Sequence, residues 1–247
     1  MNINGSIALV TGANGGIGSA FVAELLKRGA AKVYVAARNP ASLADLVAGD
    51  PRLVPLKLDV TDAGQIANAV AEASDISLLV NNAGYAAFEG AISAPDLDAA
   101  RQEMEVNYFA PLAMTRAFAP VLASAGGGAV LNMLSMVSLV SIPALATYSA
   151  SKAAILSATR SIRAELAAQG TLVVGVLAVQ TETSMGAGLP EPRMTPQEVA
   201  ADGIEAVQTG TNDDIAAGAQ TRGAYQKFMA DPKAFQAMVS KLLPKAA

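Results

Sequence analysis

The sequence contains no cysteine and no histidine, and only 4% of its 247 residues are aromatic. Without cysteine and histidine it cannot build the usual zinc sites, a disulfide, or a nucleophile activated by a histidine base. Acid–base chemistry near neutral pH is therefore left to Tyr, Lys, Asp or Glu. The lack of disulfides fits a reducing compartment, so the predicted location is cytoplasmic.

Charge is also scarce, at 15% of residues, with a formal net charge of −4 and no long basic run. Nucleic acid is not an expected partner, because phosphate contacts require clustered Lys and Arg. Hydrophobic residues make up 52% of the chain and the mean hydropathy is +0.37. This composition is apolar enough to bury a sizeable core.

A membrane location is not expected either. The segment between Arg116 and Lys152 carries no formal charge, but glycines, Asn132 and Pro143 interrupt it. The pieces are shorter than the about 20 apolar residues that a spanning helix needs. The first residues also lack the basic start of a signal peptide. We interpret the segment as the buried core of a soluble protein.

Short β-branched runs alternate with amphipathic or alanine-rich stretches along the chain. The predicted strands are Ile7–Val10, Lys32–Ala36, Val54–Leu58, Ile76–Val80, Ala129–Met133 and Leu172–Ala178, with a weaker one at Asp214–Ala217. The predicted helices are Gly18–Arg28, Pro40–Ala48, Asp62–Ala73, Asp96–Ala123 (as two helices), Thr147–Ala168, one starting at Thr195-Pro196, and Asp231–Leu243. Strands that are apolar throughout are typical of parallel sheets covered on both faces. The alternation predicts an α/β fold with one doubly wound parallel sheet, and no linker divides residues 1–247.

A glycine-rich turn follows the first predicted strand and opens the first helix. Glycines let the backbone approach a pyrophosphate, which the free N–H groups of a helix N-terminus stabilise. Ordinary turns are glycine-rich too, so the position between strand and helix is what favours dinucleotide binding. The residues predicted to bind are Thr11, Gly12, Asn14, Gly15, Gly16, Ile17 and Gly18.

The end of the second predicted strand, Ala36-Ala37-Arg38, bears on which dinucleotide binds. An acid usually stands there in NAD-binding folds, where it accepts a hydrogen bond from the ribose 2′-hydroxyl. Arg38 could instead form charge-assisted hydrogen bonds with a 2′-phosphate, although a solvated surface arginine is the alternative. The sequence therefore favours NADP(H), and NAD(H) stays open.

Tyr148 and Lys152 stand one helical turn apart and share a helix face. Their reference pKa values of about 10 and 10.4 make neither an effective base near neutral pH. A nearby ammonium stabilises a phenolate, so Lys152 and an oxidised nicotinamide are expected to lower the pKa of Tyr148. Most Tyr-x-x-x-Lys patterns lie on ordinary helix surfaces, so the pair indicates a catalytic site only together with other motifs.

Those other motifs occur in order along the chain. After the glycine turn come Asn81-Asn82-Ala83-Gly84, then Asn107, then Ser135 thirteen positions before Tyr148. Together they resemble the short-chain dehydrogenase/reductase family in its compact reductase type, over roughly the first 185 residues. The resemblance implies a single Rossmann-type domain, with a cofactor half at about 1–125 and a catalytic and substrate part at about 126–247. It also implies a homodimer or homotetramer.

The resemblance implies a role for each matching residue. Tyr148 is the general acid in carbonyl reduction and the base in alcohol oxidation, and Ser135 hydrogen-bonds the substrate oxygen. Lys152 binds the nicotinamide ribose, and Asn107 places a water in a proton relay. Further cofactor contacts are expected from Asp59, Val60, Asn82, Ala83, Gly84, Thr181 and Thr183.

The substrate pocket is expected in the loops after the strands. Ser135 and Tyr148 are joined there by Val137, Val179, Gln180 and Met185, with Tyr85, Ala86, Phe88, Ile142 and Met194 as further candidates. Such a lining favours a mostly apolar ketone or secondary alcohol, although Met and Val can equally be core packing. The glycines and prolines of Thr183–Met194 suit a mobile lid.

Two features depart from the family pattern. Leu177-Ala178-Val179-Gln180 stands where the family usually has Pro-Gly, and the chain ends in a helix where many relatives have a glycine-rich strand. The best-supported function is an NADP(H)-dependent carbonyl reductase or alcohol dehydrogenase. The alternatives are a regulatory or sensor protein that binds NADP(H) without turnover, and an epimerase or dehydratase that retains its cofactor.

Overall fold

A computed structural model describes residues 1–244. The strands are β1 (Ile7–Thr11), β2 (Lys32–Ala37), β3 (Leu53–Lys57), β4 (Leu78–Asn81), β5 (Ala129–Met133), β6 (Leu172–Leu177) and β7 (Asp214–Ala216). They form one parallel sheet in the order β3-β2-β1-β4-β5-β6-β7. The predicted doubly wound parallel sheet is confirmed. Residues 245–247, the end of the predicted domain, lie outside the described residues.

Helices cover both faces of this sheet. They are α1 (Gly16–Lys27), α2 (Ala44–Ala48), α3 (Ala63–Glu72), α4 (Asp98–Met104), α5 (Ala110–Ser124), α6 (Ala146–Leu166), α7 (Pro196–Thr209), α8 (Gly218–Ala230) and α9 (Pro232–Val239). Alternate residues of a strand point to opposite faces. In β1, Val10 joins the core under α1 and α7, whereas Leu9 joins the core under α3, α5 and α6. This two-sided burial explains why the strands are apolar throughout.

The element ends differ from the sequence predictions by small amounts, with two larger exceptions. Asp96–Ala123 was expected to hold two helices, but α4 continues through a π-helical turn, Glu105–Phe109, directly into α5. The prediction missed α8 because this helix buries only Gly218 and Thr221 and so shows no apolar stripe. The capping signals at Thr195 and Asp231 did locate the starts of α7 and α9.

The sheet order fixes where a ligand can bind. From β1 the chain winds outward through β2 and β3, and from β4 it winds through β5 to β7 in the other direction. A crevice therefore opens at the carboxyl ends of β1 and β4, where doubly wound sheets bind their ligands. Within residues 1–244, no helix has both the length and the apolar character needed to cross a bilayer.

Candidate active site

The glycine turn lies at the carboxyl end of β1 and is packed so closely that side chains do not fit. Gly12 has a φ of +63°, which favours glycine. A Cβ on Gly18 would overlap the Gly12 carbonyl oxygen and lie 2.8 Å from Asn82 Nδ2, and one on Gly16 would lie 2.9 Å from Thr183 Cγ2. Gly15 caps α1 without a side-chain hydrogen bond, so the first-turn N–H groups stay available to an anion. This cradle fits the pyrophosphate of a dinucleotide.

Polar side chains hold the ends of β1 and β4 together beside the cradle. Asn82 Nδ2 donates to the carbonyl oxygens of Thr11 at 2.9 Å and Gly12 at 3.2 Å. The Thr11 hydroxyl accepts from the N–H groups of Asn82 and Ala83 at 2.9 and 3.0 Å, and donates to Val80 O at 3.3 Å. These bonds fix the crevice, while Ile17 packs against the core behind it.

The residues predicted to meet the adenosine end surround the turns after β2 and β3. Arg38 is exposed at the end of β2. Asn14 Nδ2 donates to Ser42 Oγ at 3.1 Å and so joins the glycine turn to the segment after Arg38. The Asp59 carboxylate accepts from both the N–H and the hydroxyl of Thr61, at 3.0 and 2.7 Å. Val60 is half-buried against the core.

Ser135, Tyr148 and Lys152 meet at the carboxyl end of β5. Ser135 Oγ donates to the Ala178 carbonyl oxygen at 3.3 Å, and its hydroxyl is close enough to the Tyr148 phenol to lower the pKa of that phenol. Lys152 is buried; its Nζ donates to Met133 O at 2.9 Å and lies 5.8 Å from the centre of the Tyr148 ring. The phenol and the ammonium therefore share one site beside the crevice.

The pKa of Tyr148 depends on its burial and on two neighbouring side chains. Burial of the phenol raises this pKa above its usual value, the carboxylate of Glu103 raises it further, and the Ser135 hydroxyl opposes both. The lowering predicted for Lys152 together with an oxidised nicotinamide concerns the cofactor complex and stays a prediction; the Lys152 ammonium donates to the Met133 carbonyl oxygen. Burial also lowers the pKa of Lys152 to about 8.

Asn107 lies in the π-helical turn, with only 1% of its surface exposed. Its side chain accepts from Tyr85 N at 2.9 Å and donates to Tyr85 O at 2.7 Å and to Ser151 Oγ at 3.0 Å. Single π turns inside α-helices are frequent at functional sites. Gly84 is close to both Asn107 and Lys152: a Cβ there would lie 3.4 Å from Asn107 Oδ1 and 4.0 Å from Lys152 Nζ.

The segment after β6 reaches the glycine turn, since Thr183 lies next to Gly16. Thr181 and Met194 form an isolated parallel bridge, which joins the two ends of the predicted lid. Gln180 Nε2 donates to Pro192 O at 3.3 Å, and Thr183 Oγ1 accepts from Gly186 N at 3.1 Å. The lid is therefore anchored at its base by hydrogen bonds within its own segment.

The predicted pocket residues divide into exposed and buried sets. Phe88 and Met185 are about two-fifths exposed, whereas Val137 is almost fully buried. Met194 does not line a pocket, because it is 1% exposed in the core and its sulfur lies 3.0 Å from Thr221 Oγ1. The remaining candidates, Tyr85, Ala86, Ile142, Val179 and Gln180, are half-buried.

Comparison with known proteins agrees with this geometry. The family model described as short chain dehydrogenase matches residues 6–193. The chain belongs to the short-chain dehydrogenase family. A solved structure of a short chain dehydrogenase from Burkholderia cenocepacia J2315, in complex with NADP, is 42% identical, with a TM-score of 0.90 over 97% of this chain and 99% of that one.

Two curated relatives of this family carry functional names. The very-long-chain 3-oxoacyl-CoA reductase of Anas platyrhynchos is 36% identical over 73% of this chain and 61% of that protein. The NADP-dependent 3-hydroxy acid dehydrogenase of Schizosaccharomyces pombe is 31% identical over 66% of each protein. The chain spans less than two thirds of the length of several curated relatives that it matches.

The C-terminal helix of this short-chain dehydrogenase contacts the segment that joins Ser135 to Tyr148. The Gln236 side chain on α9 accepts from Ser141 N at 2.9 Å and donates to Ser141 O at 2.8 Å. Just beyond α9, the Leu242 carbonyl oxygen accepts from Ala144 N at 3.0 Å. The helix that departs from the expected glycine-rich strand therefore supports the catalytic segment.

We expect Gln236→Ala to lower the free energy of unfolding by about 1–3 kcal/mol, because two hydrogen bonds to Ser141 are lost. For a chain of this length, Tm should fall by about 2–4 °C for each kcal/mol of unfolding free energy that is lost. Thermal unfolding followed by circular dichroism measures it. Gln226→Ala on α8, where the side chain is exposed, is the control and should leave Tm unchanged. An equal change in both variants would contradict the proposed support.

Three polar residues at the site were not identified from the sequence. The Ser138 hydroxyl accepts from Ser135 N at 3.3 Å and Ser151 holds Asn107, but serines are too common to stand out. Glu103 is fully buried one turn before Asn107. Its spacing of four residues from Asn107 was the available signal, since both then lie on one helix face.

Proposed function

We propose that the chain is an NADP(H)-dependent oxidoreductase that interconverts a mostly apolar ketone and the corresponding secondary alcohol. The observation that carries the proposal is the meeting of Ser135, Tyr148 and Lys152 at the carboxyl end of β5, beside the glycine cradle. The relatives named as dehydrogenases or reductases support the reaction class, and the NADP complex of the Burkholderia cenocepacia structure supports the cofactor.

In the reductive direction, each residue acts on the substrate oxygen or on the cofactor. When bound, NADPH supplies the hydride. The Ser135 hydroxyl donates a hydrogen bond to the carbonyl oxygen as negative charge develops there. The Tyr148 phenol gives its proton to that oxygen, so the product is the neutral alcohol. Because burial and Glu103 keep the pKa of Tyr148 high, the phenol holds its proton at neutral pH, which suits the acid role.

The remaining site residues bind or orient. The cradle of Gly12, Gly15 and Gly18 would hold the pyrophosphate on the N-terminus of α1. Lys152 would contact the nicotinamide ribose, and Asn107 would hold a water that returns the proton to Tyr148. The exposed aromatic ring of Phe88 and the thioether of Met185 offer apolar contacts without a positive charge, which favours an uncharged reacting end of the substrate.

A panel of aliphatic, aromatic and long-chain ketones with the matching alcohols tests this function. Absorbance of NADPH is followed in both directions, in parallel with NADH. Net oxidation of NADPH by at least one ketone is the expected result. NADPH binding without any turnover would favour the sensor, and product formation without net NADPH consumption would favour an epimerase or dehydratase. A homodimer or homotetramer stays a prediction of the family resemblance, and a cytoplasmic location stays a prediction from the lack of disulfides.

Arg38→Gln is expected to weaken NADPH binding by about 10- to 100-fold, because a charge-assisted contact with the 2′-phosphate is worth about 1.5–3 kcal/mol. NADH binding should change little, since that cofactor has no phosphate there. The two dissociation constants are measured from the fluorescence of each reduced cofactor. Arg116→Gln makes the same charge change at an exposed position of α5 and controls for net charge. Equal losses for both cofactors would show that Arg38 does not read the phosphate.

A further inference from the structure

Glu103 on α4 is a buried acid to which the proposed reaction assigns no contact with substrate or cofactor. None of its surface is exposed, and one carboxylate oxygen, Oε1, accepts from Ala87 N at 2.8 Å. The other oxygen, Oε2, is buried and has no hydrogen-bond partner within the described residues. Leaving a buried carboxylate oxygen unpaired costs free energy, so this arrangement requires a reason.

Helix α6, which packs against α4, carries an unpaired hydrogen-bond donor. The hydroxyl of Thr147, in the first turn of α6, is also buried and without a partner within residues 1–244. A hydroxyl can donate the hydrogen bond that a carboxylate oxygen accepts. The two unpaired atoms are thus chemically complementary.

The packing of α4 against α6 places Glu103 and Thr147 at matching positions along the interface between these helices. α4 and α6 pack together on one face of a parallel sheet, so both helices run opposite to the strands and parallel to each other. Asn107 donates to Ser151 Oγ at 3.0 Å, which fixes the register between the two chain segments. Four residues earlier on each side stand Glu103 and Thr147, one helical turn along the same interface.

The Ala87 contact connects Glu103 to the pocket. The next residue, Phe88, has a φ of +61°, a conformation that is strained for an aromatic residue. Its ring is 39% exposed, at the position where the sequence predicts a pocket wall. The hydrogen bond from Ala87 N to Glu103 holds the backbone immediately before this strained residue.

We propose that Glu103 is a positioning residue of the active site. Its carboxylate joins the Ala87–Phe88 backbone on one side to Thr147 on the other through one bridging water. It thereby fixes the pocket wall relative to the first turn of α6, where Tyr148 follows Thr147. The inference deepens the proposed function and rests on it, because Tyr148 is the acid whose position matters.

The charge of Glu103 gives this role a specific signature. Glu103 from α4 and the Ser135 hydroxyl after β5 act on the Tyr148 phenol, and Lys152 Nζ from α6 lies 5.8 Å from the centre of its ring. Because the carboxylate raises the pKa of Tyr148, removing its charge should lower that pKa. Reduction needs the protonated phenol and is lost above this pKa, whereas oxidation needs the phenolate and is gained above it. The pH above which reduction is lost and the pH above which oxidation is gained should therefore both fall.

Glu103→Gln keeps the shape and an acceptor for Ala87 N but removes the charge. We expect its pH–rate limits for reduction and oxidation both to move to lower pH, with a small change in KM. Glu103→Leu removes both contacts and should raise KM by about tenfold, as expected for about 1.4 kcal/mol of lost positioning. Glu105→Gln, exposed on the same helical path, should leave the pH profile and KM unchanged.

A crystal structure with ordered waters tests the contact without turnover. Glu103 Oε2 should lie within hydrogen-bond distance of one water that also contacts Thr147 Oγ1. A wild-type pH profile and KM in both Glu103 variants, or a crystal structure without this link, would overturn the inference. A wild-type protein that turns over nothing in the panel but shows the link would instead overturn the proposed function alone.

Discussion

Tyr148→Phe is expected to bind NADPH as tightly as the unchanged protein and to reduce ketones about 10²- to 10⁴-fold more slowly, the usual contribution of a general acid. The substitution removes the proton that the carbonyl oxygen must receive, but it leaves the half-buried ring in place. The glycine cradle and Arg38 lie on other elements, so cofactor affinity should be kept. The loss should therefore appear in kcat.

The measurement pairs single-turnover NADPH oxidation with a fluorescence titration of NADPH. Tyr108→Phe is the matched control, because this half-buried tyrosine lies beside Asn107 but has no assigned role in proton transfer. Turnover of Tyr148→Phe at the wild-type rate would remove the proposed acid. A parallel loss of NADPH affinity would mean that the ring acts in binding and not in chemistry.

The cradle residues and Asn82 were placed at the crevice because they stand at strand ends, whereas the roles of Asn107, Ser135 and Tyr148 came from the family resemblance. A strand followed by glycines, or by Asn82, predicts a position at the crevice because the carboxyl ends of parallel strands meet there. Tyr148 and Lys152 could be paired because helical spacing of four residues is local. The sheet and the location of the site could therefore be predicted.

The features that sequence reasoning missed depend on contacts between distant segments. Ser141 and Gln236 form a hydrogen bond although they lie 95 positions apart in the sequence, and no local pattern in either segment predicts that contact. The effect of Glu103 on the pKa of Tyr148 was missed for the same reason, because Glu103 lies 45 positions away from Tyr148. Neither effect can be read from the spacing between Tyr148 and Lys152.

Gly18→Ala is the substitution expected to damage the cradle most. The added Cβ would overlap the Gly12 carbonyl oxygen and approach Asn82 Nδ2 to 2.8 Å. Because the nearer atom belongs to the backbone, no side-chain rotation relieves the overlap, and the turn must move away from α1. We expect the free energy of unfolding to fall by about 1–3 kcal/mol, as for overpacked cores.

NADPH affinity should fall by at least about 100-fold, because displacing the turn costs two or more charge-assisted hydrogen bonds to phosphate at about 1.5–3 kcal/mol each. Urea unfolding and an NADPH fluorescence titration measure the two effects separately. Gly188→Ala is the control, since a Cβ there meets nothing within 4 Å and Ala restricts the unfolded chain equally. If Gly18→Ala kept full NADPH affinity, the nucleotide could not lie against this turn. The cofactor would then have to bind elsewhere along the crevice, and Arg38 would no longer face its phosphate.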